Sequence, residues 1–190
     1  LEAGIDTIIV DNADELDRLE RLLPQRTGAR AGAPQQLLLR VIPGVAAKTH
    51  ASQATGGAES KFGLPLDQAA AAIARMRDHP LMDFAGVHLH IGSQILDVGQ
   101  FAEAVSKLSG VTADIAGGAA FRTYDVGGGL GVQYTYTDDA PSVDAYLDAI
   151  VAAAREHLPA DARLLIEPGR SLVARAGVTL YRVTSVKRTG

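Results

Sequence analysis

The sequence predicts an α/β fold, five strand–helix units of a (β/α)8 barrel, and three observations predict it. Short apolar runs alternate with helical patterns along most of the chain, which asks for a parallel sheet. The unusual polar residues His90, Gly127 and Glu167 fall just after successive strands, on the face where a barrel collects its site. The turn after Val10 carries no glycine, and the glycine run comes late, after the fourth strand. An open doubly wound sheet, the competing solution, would place its glycine fingerprint at the first turn.

Each element has its own signal. Leu1-Glu2-Ala3-Gly4 reads as a helix end with its glycine stop. Thr7-Ile8-Ile9-Val10 is an apolar run suited to a strand buried on both faces. Asp11 and Asn12 can cap the next helix, where Leu16, Leu19, Leu22 and Leu23 fall at helical spacing. Leu37 to Ile42 is the second strand, and a long loop runs from Pro43 to Gly63. An alanine-rich helix begins near Pro65 and ends about His79-Pro80. Phe84 to His90 is the third strand, and Phe101 to Leu108 carries a helical pattern. Phe121 to Val126 is the fourth strand, Val143 to His157 a helix, and Leu164-Leu165-Ile166 the fifth strand. Val178 to Lys187 reads as a further strand that stops, and both ends of the chain look cut from something longer.

Composition narrows the function. With 190 residues, 47% of them apolar, the chain can bury a sizeable core or form part of a larger barrel. Net charge is −4, from 18 basic and 22 acidic residues without a long run of either sign, so no nucleic-acid surface is expected. There is no cysteine, which excludes disulfides, thiolate metal sites and a cysteine nucleophile within these residues. No apolar stretch is long enough to span a bilayer and no signal-peptide pattern opens the chain, so a cytoplasmic protein is the default expectation.

Three motifs could carry chemistry. In Val87-His88-Leu89-His90-Ile91-Gly92-Ser93-Gln94 the two histidines share a side of the strand. They could pack and hydrogen-bond, or bind a metal, or let His90 stack on a flat ligand while Gly92 and Ser93 meet an anion. No carboxylate is near in sequence, and no metal is expected. In Asp125-Val126-Gly127-Gly128-Gly129-Leu130-Gly131 the glycines Gly127, Gly128 and Gly129 form either a flexible connection or a cradle whose amides converge on phosphate. In Glu167-Pro168-Gly169-Arg170 a carboxylate at the end of an apolar strand needs a partner. Arg170 could be that partner, or the two could separate, Glu167 to a protonated ring nitrogen and Arg170 to a phosphate or carboxylate. Lys61 lies in the long loop and reads as solvated or phosphate-facing. Lys48 and His50 read as ordinary loop residues.

The three motifs, in this order and on these strands, resemble the fold type III decarboxylases of pyridoxal phosphate, which have an alanine racemase-like barrel. Gly86 to Ile95 is similar to the diaminopimelate decarboxylase form in particular. So are Ser60-Lys61-Phe62-Gly63-Leu64, Asp125 to Gly131, Glu167-Pro168-Gly169-Arg170-Ser171 and the opening Val10 to Leu16. The resemblance covers almost the whole chain. It implies barrel strands four to eight over residues 1–176, and at 177–190 the first strand of a C-terminal β domain. It implies that His90 stacks on the pyridine ring of pyridoxal 5′-phosphate. Ser93 and Gly127 to Gly129 hold its phosphate, Glu167 pairs with the ring nitrogen, and Gly169 and Arg170 lie close, Arg170 serving the substrate carboxylate. The implied reaction is decarboxylation of meso-2,6-diaminopimelate to L-lysine by a homodimer. A sister decarboxylase of ornithine, arginine or carboxynorspermidine and a non-catalytic pyridoxal-phosphate carrier are the alternatives. The family's Schiff-base lysine belongs to the first barrel strand, a motif these residues do not contain, so the piece by itself is expected to be inactive. The family's catalytic cysteine and interface tyrosine belong to the β domain.

Overall fold

A computed structural model of the chain describes residues 3–42, 44, 60–115 and 121–188. Lys48 and His50 lie outside the described residues. Five strands, β1 (Thr7–Val10), β2 (Gln35–Arg40), β3 (Met82–His88), β4 (Thr123–Asp125) and β5 (Arg163–Leu165), alternate with four longer helices. These are α1 (Ala13–Leu22), α2 (Leu66–Asp78), α3 (Gly99–Ile115) and α4 (Val143–His157); a short α5 (Gly169–Val173) follows β5.

All five strands are parallel and stand in chain order, β1-β2-β3-β4-β5. Each strand lies beside its predecessor, with none of the order reversal of a doubly wound sheet, so the topology is that of consecutive barrel units. The register sets Val10 opposite Leu39, Leu39 opposite Val87, Val87 opposite Tyr124 and Tyr124 opposite Leu164. The carboxyl ends of the strands therefore arrive at one level, and the loop leaving each strand becomes a neighbour of the loop leaving the next.

Burial explains the apolar runs. Leu37, Leu38 and Leu39 are all buried although consecutive residues face opposite sides, so β2 is covered on both faces. In α1 the Asn12 side chain accepts from the Glu15 amide at 3.0 Å, and Glu15 returns to the Asp11 amide at 2.7 Å. That start turns Leu16 and Leu19 into the core with Leu23 just beyond, each buried leucine contributing about 1.5–3 kcal/mol. Leu22 differs from expectation: it is 44% exposed, because it lies about 120° around the helix from Leu16, at the edge of the buried stripe. In α4 Ser142 caps Ala145 at 3.1 Å, and Tyr146 packs edge-on against Phe101 of α3 with ring centroids 4.8 Å apart.

The expected strand over Val178–Lys187 is not formed within the described residues. Val178, Leu180, Tyr181, Val183 and Val186 are exposed and make no sheet ladder. A strand exists only through its partner's hydrogen bonds, and this segment meets none here. Among the described residues no helix is long and apolar enough to cross a membrane.

Candidate functional site

The site is assembled at the carboxyl ends of β1 to β5. At the first two ends, Arg40 Nη1 meets Asp11 Oδ1 at 3.1 Å, and the Gly63 amide donates to the same oxygen at 3.1 Å. Leu64 pairs with the backbone of Arg40 and Ile42, which docks the end of the long loop onto β2. Lys61, exposed, lies with its Nζ 5.1 Å from the Phe62 ring centroid, a ring that Arg40 also covers at 4.9 Å.

The last three ends interlock through glycine. A Cβ at Gly127 would stand 2.2 Å from the Leu89 carbonyl oxygen, at Gly128 2.0 Å from that of Glu167, and at Gly129 2.2 Å from that of Gly92. No side chain fits at such distances, so the run lets β4 cross between the ends of β3 and β5 backbone to backbone. Two of the three amides are already committed: Gly127 donates to Asp125 Oδ1 at 2.9 Å and Gly128 to His90 Nδ1 at 3.2 Å. This gives the glycines a packing duty that the sequence pattern does not reveal, and it fixes the His90 ring against Gly128.

The titratable groups sit in a water-poor environment. His88 ends β3 and is only 4% exposed, yet its Nε2 lies 3.3 Å from Glu167 Oε2. Burial first, then the nearby charges of Arg40 and His90, push the His88 pKa down to about 3 against the opposing pull of Asp11. The ring is therefore neutral at pH 7. With Nδ1 buried and unpartnered, the tautomer with its proton on Nε2 donates to Glu167. His90 is likewise lowered by burial and by Arg40, with Glu167 opposing. Asp125, 3% exposed, is pushed up to about 6 by burial, with its bond from Gly127 opposing and Glu167 adding to the rise. The ligand-type atoms of His88, Asp125 and Glu167 all fall within 4.8 Å of one another.

Arg170 does not pair with Glu167. Its Nε and Nη2 both reach Ser93 Oγ, at 3.1 and 2.7 Å, and its Nη1 donates to Tyr134 OH at 2.6 Å. The expected ion pair within Glu167-Pro168-Gly169-Arg170 is thus not formed, and His88 is the carboxylate's partner. Gly169 opens α5, its amide bonded to the Glu167 carbonyl at 2.8 Å, which turns the chain so that Arg170 points back to β3. The expected residues His90, Ser93, Gly127 to Gly129, Glu167, Gly169 and Arg170 therefore come together at one edge. Tyr134 lay outside every motif. Asp125 stood inside one without a role; an acidic residue ending an apolar strand was the available signal.

The edge offers three kinds of recognition. A guanidinium beside a hydroxyl suits a phosphate or carboxylate. A neutral imidazole wedged against backbone offers a face to a flat ring. A carboxylate whose side chain is 47% exposed, with one oxygen held by His88, suits a protonated ring nitrogen.

Comparison with known proteins identifies the family. Residues 1–174 match the pyridoxal-dependent decarboxylase family model for the pyridoxal binding domain. The whole chain is 41% identical to a diaminopimelate decarboxylase of Pseudomonas aeruginosa over 191 residues, and spans 44% of that relative. It is 36% identical to the Zymomonas mobilis diaminopimelate decarboxylase, again covering 44% of it. Among solved structures, the diaminopimelate decarboxylase of Helicobacter pylori complexed with L-lysine superposes with a TM-score of 0.75 at 32% identity, over 87% of this chain and 40% of that one. The lysine/ornithine decarboxylase of Vibrio vulnificus complexed with putrescine gives 0.64 at 25% identity, over 88% of this chain and 39% of that one. The chain spans less than half the length of these relatives. With the family model matched over residues 1–174, the chain belongs to the pyridoxal-dependent decarboxylases, through their pyridoxal binding domain.

Proposed function

We propose that the protein decarboxylates meso-2,6-diaminopimelate to L-lysine with pyridoxal 5′-phosphate as cofactor. The observation that carries this is the meeting of Glu167, His88, His90, Ser93 and Arg170 at one strand-end edge. That donor set answers the cofactor's three parts. Ser93 and Arg170 suit its phosphate, with Arg170 also near enough to serve a substrate carboxylate. His90, kept neutral by burial, stacks on the ring. Glu167, aimed by His88, would accept a hydrogen bond from the protonated ring nitrogen and so favour the protonated ring. Bound in this way, the cofactor supplies an electron sink for the pair left when carbon dioxide departs.

Gly127, Gly128 and Gly129 bring the three strand ends close enough for these side chains to share one ligand. They line the phosphate side of the site, although two of their amides are used internally. The covalent lysine is not among Lys61, Lys107 and Lys187. The first lies on Phe62, the second pairs with Glu103 on a helix, and the third is exposed in the unpaired segment. On this reading residues 1–176 are barrel strands four to eight and residues 177–190 enter a β domain; that the lysine comes from sequence outside these 190 residues rests on the family resemblance, since Lys48 lies outside the described residues. The working form is a cytoplasmic homodimer, a point that rests on the family resemblance.

Diaminopimelate is favoured over ornithine by the identities, 31–32% to diaminopimelate decarboxylases solved with L-lysine against 25% to the lysine/ornithine enzyme. The test is carbon dioxide release by the intact protein from meso-diaminopimelate, ornithine, arginine and carboxynorspermidine. Preference for diaminopimelate by at least tenfold in kcat/KM is expected, and preference for another substrate overturns the assignment.

A further inference from the structure

We infer that Gln94 is a positioning residue that locks the Ser93 loop to the glycine loop. Gln94 has φ 58°, the one positive φ of a non-glycine residue among those described. A side chain in that left-handed region costs free energy and persists where surrounding contacts hold it. The contacts are present and paired. Gln94 Nε2 donates to the Val132 carbonyl at 2.6 Å, and Gln94 Oε1 accepts from the Val132 amide at 3.2 Å. One primary amide thus satisfies both backbone groups of one residue, as a neighbouring strand would.

The clip closes a short ladder. Beside it the Ile95 amide donates to the Gly129 carbonyl at 2.9 Å, and the Gly131 amide to the Ile95 carbonyl at 2.9 Å. Ile95 and Leu130 form a parallel bridge. Gly129 and Gly131 permit this approach, since a Cβ at either would strike the backbone of Gly92 or Ile95. The Ser93 loop and the glycine loop are therefore bonded to each other at several points. Ser93, which receives Arg170, is the residue immediately before the clip.

The inference rests on the proposed cofactor site, and its test separates the two. Gln94→Gly keeps the left-handed backbone at no steric cost and removes the clip; Gln94→Glu keeps the acceptor and removes the donor. In the intact protein both variants are expected to lose pyridoxal phosphate about tenfold faster than wild type, followed by absorbance after dilution into a phosphate-free trap. That is the size expected for the loss of one or two hydrogen bonds of ordinary strength. In the cofactor-free protein the Val132 amide should exchange with deuterium at least tenfold faster in Gln94→Gly, while the amides of β2 keep their rates. Wild-type retention in both variants overturns the inference, and so does a Gln94→Gly protein that melts early yet keeps its cofactor. A wild-type protein that takes up no pyridoxal phosphate overturns the proposed function instead, leaving the exchange rate of Val132 to decide the clip.

Discussion

His88 Nε2 lies 3.3 Å from Glu167 Oε2, across 79 residues of chain. Sequence spacing leaves His88 open between packing, hydrogen bonding and metal binding, and leaves Glu167 to find a partner nearby. The parallel register does otherwise: His88 stands opposite Asp125, Asp125 opposite Leu165, and Glu167 comes two residues later. The histidine is thereby buried and yet in contact with the carboxylate. Held neutral, it donates to Glu167 without adding a positive charge that would compete with a protonated ring nitrogen. His88→Leu removes that donor and is expected to lower kcat about 10–100-fold, the range for a hydrogen bond to a charged group. His88→Gln keeps an amide donor and should recover part of the loss. Equal kcat in the leucine variant and the wild type, with cofactor bound in both, would show that Glu167 needs no support.

Glu167→Gln keeps the shape of the carboxylate and removes its charge. Turnover should fall about 10²–10³-fold, the usual effect of deleting one aimed electrostatic partner, while pyridoxal phosphate stays bound. Steady-state kinetics together with cofactor content of the purified variant check both halves.

Arg170 holds Ser93 Oγ through two nitrogens and Tyr134 through a third. A lysine cannot reproduce that fork. Arg170→Lys is expected to raise KM at least tenfold and to weaken cofactor retention, read from substrate titrations and cofactor release. Ser93→Ala should mimic the second effect more mildly.

Gly128→Ala would place a methyl group 2.0 Å from the Glu167 carbonyl oxygen, a backbone atom that cannot step aside. The expectation is a loss of several kcal/mol of stability, seen as a lowered melting temperature in the cofactor-free protein. A variant that merely loses pyridoxal phosphate and melts normally would assign Gly128 to the ligand alone.

Two buried groups give opposite pH dependences. His88, lowered to about 3, costs the folded state nothing above its unfolded pKa near 6.5, and a growing penalty as pH falls from there toward 3. Asp125, raised to about 6, costs nothing below its unfolded pKa near 3.8, and a growing penalty as pH rises from there toward 6. Between about pH 4 and 6 the two partly cancel. Asp125→Asn should make the acid loss of stability steeper across that window and stabilise the protein at pH 7 by on the order of 3 kcal/mol. His88→Gln should make it shallower. Denaturant unfolding at pH 4, 5, 6 and 7 measures both slopes.

Apolar runs and their periods determine the order of strands and helices, because burial acts on each segment through its own residues: Thr7–Val10 and Val143–His157 form where the pattern puts them. The late glycine run and the polar residues after successive strands place the site at one end. Partnerships across strands belong to tertiary structure, since register alone decides which ends meet. The pairing of Glu167 with His88 and not Arg170, the recruitment of Tyr134, the packing role of Gly127 to Gly129, and the left-handed turn of Gln94 all depend on neighbours distant in sequence. For the same reason the pattern at Val178–Lys187 forms no ladder among the described residues: strand propensity is local, and the ladder it requires is not.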